Sequence, residues 1–334
     1  MFKRLSLLLI PATLLLSLFA FTACGSDDDD EPTPPASSPA SGTTTSQSPT
    51  AAAATYPMQV SDLLGRKVEI KAKPGTIVAL SPTATELVYA AGGAIVGRTS
   101  SVDYPEAARQ AKDVGTAYQP NAETILALKP DLIVADSVIH AQPDLRKAIE
   151  GFGVPVVFIG ADSYQEVLDG LALMGKILDS TEQAAKVSAQ VEKALADARA
   201  ALAGKQVSAV LLIADRDRTL YAAKPSSYAG DVMTKLGLTN PAASQPDSGP
   251  FPGYTAVAPE KMVEFNPDFI FTITPAPPPA PRLSAQIPAI PPFKGLKAVT
   301  GNHVVEVDVQ VFLQAPGPRV VDAFKAITKA VSGN

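Results

Sequence analysis

The sequence predicts two α/β lobes joined by one helical strut, and three observations carry that prediction. The stretch Ser163–Gly204 holds the longest proline-free helical pattern in the chain. Leu168, Leu171, Ala172 and Leu178 begin an apolar stripe at helical spacing, continued by Val187, Val191, Leu195, Ala198 and Leu202. Similar material lies on both sides of it. Glu123-Thr-Ile-Leu-Ala-Leu-Lys129-Pro130-Asp131-Leu132-Ile133-Val134 precedes it, and Glu260-Lys-Met-Val-Glu-Phe-Asn266-Pro267-Asp268-Phe269-Ile270-Phe271 follows. Each copy reads as a short helix, a Pro-Asp turn and a buried strand, with the glutamate seven places before the proline. A helix, turn and strand matched in register is a far stronger repeat signal than a turn alone. The third observation is the alternation of strands and helices in each half, which implies largely parallel sheets covered on both faces.

Taken in order, Met1–Cys24 reads as a targeting segment. Lys3 and Arg4 supply positive charge, Leu5–Phe21 is mostly apolar, and Phe21-Thr22-Ala23-Cys24 resembles a bacterial lipobox. The sole cysteine stands where lipid attachment needs a thiol, so lipidation at Cys24 is expected rather than a disulfide or a catalytic thiol. An uncleaved anchor is the alternative, against which stand the short run, Pro11 and four aspartates that follow Gly25-Ser26. Residues 25–56 are polar, acidic and proline-rich, with almost nothing to build a core, and read as a disordered tether.

The first lobe is expected over 57–162. Met58–Val68 suggests a hairpin around Leu64-Gly65-Arg66, and Ile77–Leu80 a buried strand. Ser81 is placed to cap the helix Thr83–Ala91, with Pro82 at its first position. Strand Ile95–Arg98, helix Asn121–Lys129, strand Asp131–Ala135, helix Pro143–Phe152 and strand Val154–Ile159 complete it. The strut, 163–204, ends at Gly204; Ser180 or Thr181 offers a cap that divides it in two. The second lobe, 205–334, begins with strand Val207–Ala214 and continues through helix Ser226–Leu236, helix Pro259–Phe265 and strand Asp268–Ile273. Pro275–Pro292 is too proline-rich for a regular element. Strand His303–Val307 and helix Pro316–Val331 close the chain.

A net charge of −5 and a pI near 5.2 argue against nucleic acid. No nucleophile elbow, phosphate-binding loop or dinucleotide fingerprint is present. With two histidines in all, His140 beyond a strand end and His303 at a strand start, a bare transition-metal site is not expected.

Five stretches stand out together: Leu80-Ser-Pro-Thr-Ala-Thr-Glu86-Leu, Val102-Asp-Tyr-Pro-Glu106, Val114-Gly-Thr-Ala-Tyr-Gln-Pro-Asn-Ala-Glu-Thr-Ile-Leu-Ala-Leu-Lys-Pro-Asp131, Gly253-Tyr254-x-x-Val257-x-x-Glu260 and Gln314-Ala-Pro-Gly-Pro-Arg319. In their order and spacing they resemble the solute-binding lipoproteins of ABC importers for ferric siderophores, haem and cobalamin. The resemblance implies two Rossmann-like lobes bridged by a single long helical backbone, with the ligand in the cleft between them. It implies a monomer without catalytic residues or resident cofactor, anchored outside the cytoplasm by lipid and partnered by the permease subunits of an importer. It also assigns permease docking, through arginines, to Glu123 and Glu260. The residues alone leave a second account open, since a glutamate in a first helical turn is favoured by the helix dipole. Glu86 fits a structural hydrogen bond as well as a role in its motif.

For the ligand, the lobe-facing loops offer Ser81, Thr99, Tyr118, His140, Arg216, Arg218, Tyr221, Tyr228, Phe251, Tyr254, Phe312 and Arg319. Arginines neutralise an anionic chelate and tyrosines pack flat apolar surface beside a hydroxyl. Arg216 and Arg218 directly follow a strand end, where α/β folds place ligand contacts. Cobalamin binders of the family carry aromatics where this chain has Ser101 and Ala117, and haem binders carry a tyrosine near Thr116, with which Tyr118 is out of register. A ferric siderophore is therefore expected first, with cobalamin or haem as alternatives. The rival from another class is an α/β hydrolase-like enzyme using His140, and a third is a purely structural lipoprotein.

Overall fold

A computed structural model describes residues 53–160 and 162–333; Cys24, the targeting segment and most of the tether lie outside the described residues. Folding reaches back to Ala54, whose N–H donates to Asp179 Oδ1 at 2.7 Å, and the Tyr56 hydroxyl donates to Ile177 O at 2.7 Å.

In the first lobe β1 (Met58–Ser61) and β2 (Lys67–Ile70) form the expected antiparallel hairpin. Then follow β3 (Ile77–Ala79), α1 (Pro82–Ala90), β4 (Gly97–Arg98), β5 (Lys112–Asp113), α2 (Ala122–Ala127), β6 (Leu132–Asp136), α3 (Pro143–Glu150) and β7 (Val156–Ile159). The sheet order is β5-β4-β3-β6-β7, parallel throughout. Ser81 caps α1 as expected, its Oγ accepting from Ala84 N–H at 3.0 Å, a contact of about 1 kcal/mol. Asn121 caps α2 through Thr124 N–H at 2.9 Å.

The strut is two helices, α4 (Tyr164–Ile177) and α5 (Thr181–Ala201). The break falls where Asp179 takes a positive φ of 50°. Ser180 occupies the N-cap position but caps nothing; its hydroxyl donates instead to Ala91 O at 2.5 Å, tying the turn to the end of α1. The helices fold back on one another so closely that a Cβ on Gly175 would stand 2.5 Å from that of Ala184.

The second lobe contains β8 (Ala209–Ala214), β9 (Leu220–Ala223), α6 (Tyr228–Lys235), β10 (Tyr254–Ala256), α7 (Pro259–Phe265), β11 (Phe269–Ile273), α8 (Leu283–Gln286), α9 (Lys297–Thr300), β12 (Val304–Glu306) and α10 (Val320–Ser332). Its sheet, β10-β9-β8-β11-β12, is mixed: β8, β11 and β12 are parallel, while β9 runs antiparallel to its neighbours β8 and β10. The proline-rich stretch departs from expectation. It holds α8 and two 3₁₀ turns that bury Leu283, Ile287 and Phe293 in the outer core of this lobe. Prolines at the first positions of those turns cost no hydrogen bond. The segment before α10 is likewise not helix from Pro316; a π turn, Gln310–Gln314, precedes it.

Three apolar cores result. One lies under α2 and α3 on the outer face of the first sheet, and one under α7 and α8 on the outer face of the second. The third is continuous across both lobes, joining Leu87 of α1 and Leu171 and Met174 of α4 to Val232 of α6 and Phe324 and Ile327 of α10.

The repeat is structural as well as sequential. Lys129 and Asn266, each one residue before the proline, both take left-handed conformations, with φ of 48° and 38°. Asp131 Oδ2 then accepts from Gly75 N–H and Thr76 N–H at 3.0 and 2.9 Å. Asp268 Oδ2 accepts from Ser208 N–H and Oγ–H at 2.9 and 2.7 Å. In both lobes the aspartate thus anchors the start of the neighbouring parallel strand, β3 or β8.

Candidate functional site

Because the repeat fixes helix, turn and strand alike, it delivers Glu123 and Glu260 to the same place in each lobe. Each is the second residue of its short helix, and each side chain is exposed. Neither carboxylate makes a hydrogen bond or an ion pair among the described residues. Two free carboxylates held on separate rigid lobes can address two cations on a partner and fix its orientation.

The loops at the strand ends sort the ligand candidates. Arg216 and Arg218 are exposed in the tight turn between β8 and β9, and neither guanidinium has a partner among the described residues. Asp215 builds that turn, its Oδ1 accepting from Asp217 and Thr219 N–H at 2.9 Å each. Its Oδ2 accepts from the Tyr221 hydroxyl at 3.0 Å. Tyr221 packs edge-on against Phe251 with 5.2 Å between ring centroids, and Phe251 against Tyr254 at 6.1 Å. Tyr221 and Tyr254 are buried core side chains, contrary to their expected place facing a ligand, and only Phe251 of the three is half-exposed. Tyr118 is the most exposed large apolar side chain described.

Other candidates are engaged in structure. His140 is fully buried: Nδ1 accepts from Asp136 N–H and Nε2–H donates to Ala117 O, both at 2.9 Å. Both ring nitrogens are used, so the imidazole has nothing left for a ligand. Burial pushes it below its ordinary pKa, against the opposing pull of the Asp136 carboxylate. Ser81 is buried in its cap, Thr99 is buried with its hydroxyl 3.5 Å from that of Ser101, and Phe312 is a core side chain. His303 is structural as expected, stacked on Phe269 with Nδ1 3.1 Å from Asp268 O.

Arg319 has a partner that sequence reasoning did not pair with it. Its Nε and Nη2 both donate to Glu86 Oε1, at 2.9 and 2.5 Å, joining the start of α10 in one lobe to α1 in the other. The guanidinium also lies 4.6 Å over the ring of Tyr104. Burial pushes the Glu86 carboxyl up to about 7 despite the arginine, with Asp103 and Asp322 adding to the rise. Burial alone would lower Arg319, but the Glu86 carboxylate holds it above its ordinary value. Both shifts are consistent: the ions attract, and the desolvation of Glu86 still exceeds that attraction. Glu86 Oε2 has no hydrogen-bond partner among the described residues, and the buried Tyr228 hydroxyl lies close by. A pocket of about 520 Å³ opens beside the pair, walled by Tyr89, Tyr104, Val187, Gln190, Val321 and Asp322. The motif residue Glu86 was visible in sequence, but a contact across 233 positions leaves no local pattern.

No group of three or more histidine, cysteine or acidic side chains able to hold a metal ion occurs among the described residues, and no helix there is long and apolar enough to cross a membrane. The family model described as Periplasmic binding protein matches residues 77–311, which spans both lobes and the strut. The chain belongs to that family. Periplasmic binding proteins of this kind are non-enzymatic components of transport, and membership makes the chain a substrate-binding protein of an ABC importer. Among its relatives is an uncharacterized ABC transporter substrate-binding lipoprotein, YvrC, of Bacillus subtilis (strain 168). It is 24% identical over 286 residues, covering 83% of this chain and 86% of the relative. A vitamin B12-binding protein of Salmonella choleraesuis (strain SC-B67) is 31% identical over 181 residues, 54% of this chain and 67% of the relative. The Fe(3+)-citrate-binding protein YfmC of Bacillus subtilis (strain 168) is 27% identical over 210 residues, covering 63% and 61%. In fold the chain is similar to an ABC transporter substrate-binding protein from Listeria monocytogenes EGD-e, with a TM-score of 0.68 at 22% identity, covering 79% of this chain and 100% of that one.

Proposed function

We propose that this binding protein captures an iron(III) chelate of the siderophore type outside the cytoplasm and delivers it to a permease that docks on Glu123 and Glu260. The observation that carries the docking half is the equivalence of those two free carboxylates, one per lobe, at matching positions of a structural repeat. Arginine pairs on the permease would meet them in charge-assisted hydrogen bonds. The anchor in this reading is lipid on Cys24, with residues 25–56 as the leash.

Two features support an anionic chelate as cargo. Arg216 and Arg218 present uncommitted positive charge just past β8, where folds of this class place ligand contacts. Following them in the chain, Tyr221 is buried, and the half-buried Phe251 ring that packs edge-on against it offers apolar surface for a chelator. Cobalamin is the second reading, favoured by the vitamin B12-binding relative. Titration separates the two. The chain has eight tyrosines and no tryptophan, so tyrosine emission reports binding of ferric catecholates, hydroxamates and citrate, with haemin and cobalamin alongside. Calorimetry confirms each curve. Saturable one-to-one binding of a ferric class supports the proposal, and binding of cobalamin alone overturns the ligand half of it.

A further inference from the structure

Five large apolar side chains are exposed among the described residues: Tyr104, Tyr118, Leu126, Val138 and Val263. A lone exposed leucine means little, since much of any protein surface is apolar. Leu126 and Val263 are not independent cases. Leu126 follows Glu123 by three positions on α2, and Val263 follows Glu260 by three on α7. Residues three apart on a helix are surface neighbours, so each apolar side chain lies beside its glutamate. Their exposures, 44% and 45%, are nearly the same. The core requirement of these helices is met one residue earlier, by Ile125 and Met262, both fully buried. Nothing in the folding of either lobe calls for an apolar group at the next position. The same unneeded feature thus occurs twice, beside the two carboxylates that have no partner. Tyr118, also exposed, lies on the loop leading into α2.

We infer that Leu126 and Val263 are the apolar halves of two equivalent docking knobs, each a free carboxylate next to a hydrophobic side chain. The occupant is the permease, and the inference rests on the docking reading above. Charge complementarity defines its chemistry: two sockets, each a cation set against an apolar wall. The division of labour follows from the physics. The carboxylates steer and orient the encounter, with a strong dependence on salt. The apolar contacts add burial that salt does not screen, and they expel water from around the ion pairs.

The test uses the full chain and the purified importer complex of the same cell in lipid nanodiscs, with affinity measured across a salt series. Leu126→Ser and Val263→Ser are each expected to weaken docking about five- to tenfold at every salt concentration. The salt slope stays as in the unaltered protein, and Leu126→Met and Val263→Ile restore affinity. Glu123→Gln and Glu260→Gln are expected to weaken docking and flatten the slope. Unaltered docking by the serine variants alongside weakened glutamine variants overturns this inference and leaves the docking reading standing. Unaltered docking by the glutamine variants overturns the docking reading itself. If the serine substitutions instead abolish self-association in sedimentation, or binding to empty nanodiscs, the occupant is a second copy or a lipid surface and the inference fails. All four positions are exposed, so unchanged thermal unfolding confirms that the variants are folded.

Discussion

Replacing Glu86 with glutamine keeps the shape of the interlobe contact and the acceptor for Arg319 while removing one buried charge. The carboxyl is held near 7 in the folded protein because it is buried, with only 2% of its side chain exposed. In the unfolded chain it titrates in the ordinary glutamate range. Between those values the folded state holds a proton that the unfolded state has lost, so stability is full at low pH and falls as pH rises through 7. Above pH 8 the loss amounts to about 3 kcal/mol. At pH 3 the carboxyl is neutral in both the folded and the unfolded state, and Glu86→Gln is expected to match the unaltered protein. At pH 8.5 the variant is expected to be more stable by about 3 kcal/mol, as when buried ion pairs give way to neutral groups. Urea unfolding at a series of pH values, followed by circular dichroism, measures the difference. His140 contributes a slope of opposite sign, but it is common to both proteins and cancels. A difference that stays constant, or that favours the unaltered protein at high pH, refutes the reasoning.

Three further outcomes follow from geometry already described. Asp131→Ala and Asp268→Ala each remove two hydrogen bonds that anchor a strand start, and each is expected to cost about 1–3 kcal/mol in denaturant unfolding. His140→Phe leaves Asp136 N–H and Ala117 O unpaired, at a cost of about 2–4 kcal/mol. Because burial depresses the folded-state pKa of His140, its contribution is present above the ordinary histidine value and lost as pH falls below it, a slope the variant lacks. Arg216→Glu with Arg218→Glu is expected to weaken binding of an anionic ferric chelate at least about tenfold while leaving unfolding unchanged, measured by calorimetry.

The parts of the fold legible in sequence are those written in local patterns. The repeat carried its helix, turn and strand because Glu-x6-Pro-Asp encodes a left-handed cap and an anchoring carboxylate within a dozen residues. The cap on Ser81 and the break near Asp179 were readable for the same reason. Strands β9 and β10, of four and three residues, were not. Tyr254–Ala256 is too short to show alternation, and its place is set by pairing with β9 rather than by propensity. The proline-rich stretch misled because turns of three to five residues tolerate prolines that a long helix does not. At the candidate site the two glutamates were legible through the repeat. The use of Glu86 by Arg319 was not, because it joins opposite ends of the chain. His140 shows the converse error: a histidine past a strand end reads as a cleft residue, but backbone groups on both sides had already claimed it.

The continuous core that runs from α1 and α4 to α6 and α10 has a mechanical consequence. Lobes that share one packed interior cannot swing apart without tearing it, because such interiors resist deformation. The separation between Glu123 and Glu260 is therefore close to a fixed gauge length. On the docking reading proposed above, a permease resting on both carboxylates would meet nearly the same span with or without cargo, so loading would have to be signalled by something other than the distance between them.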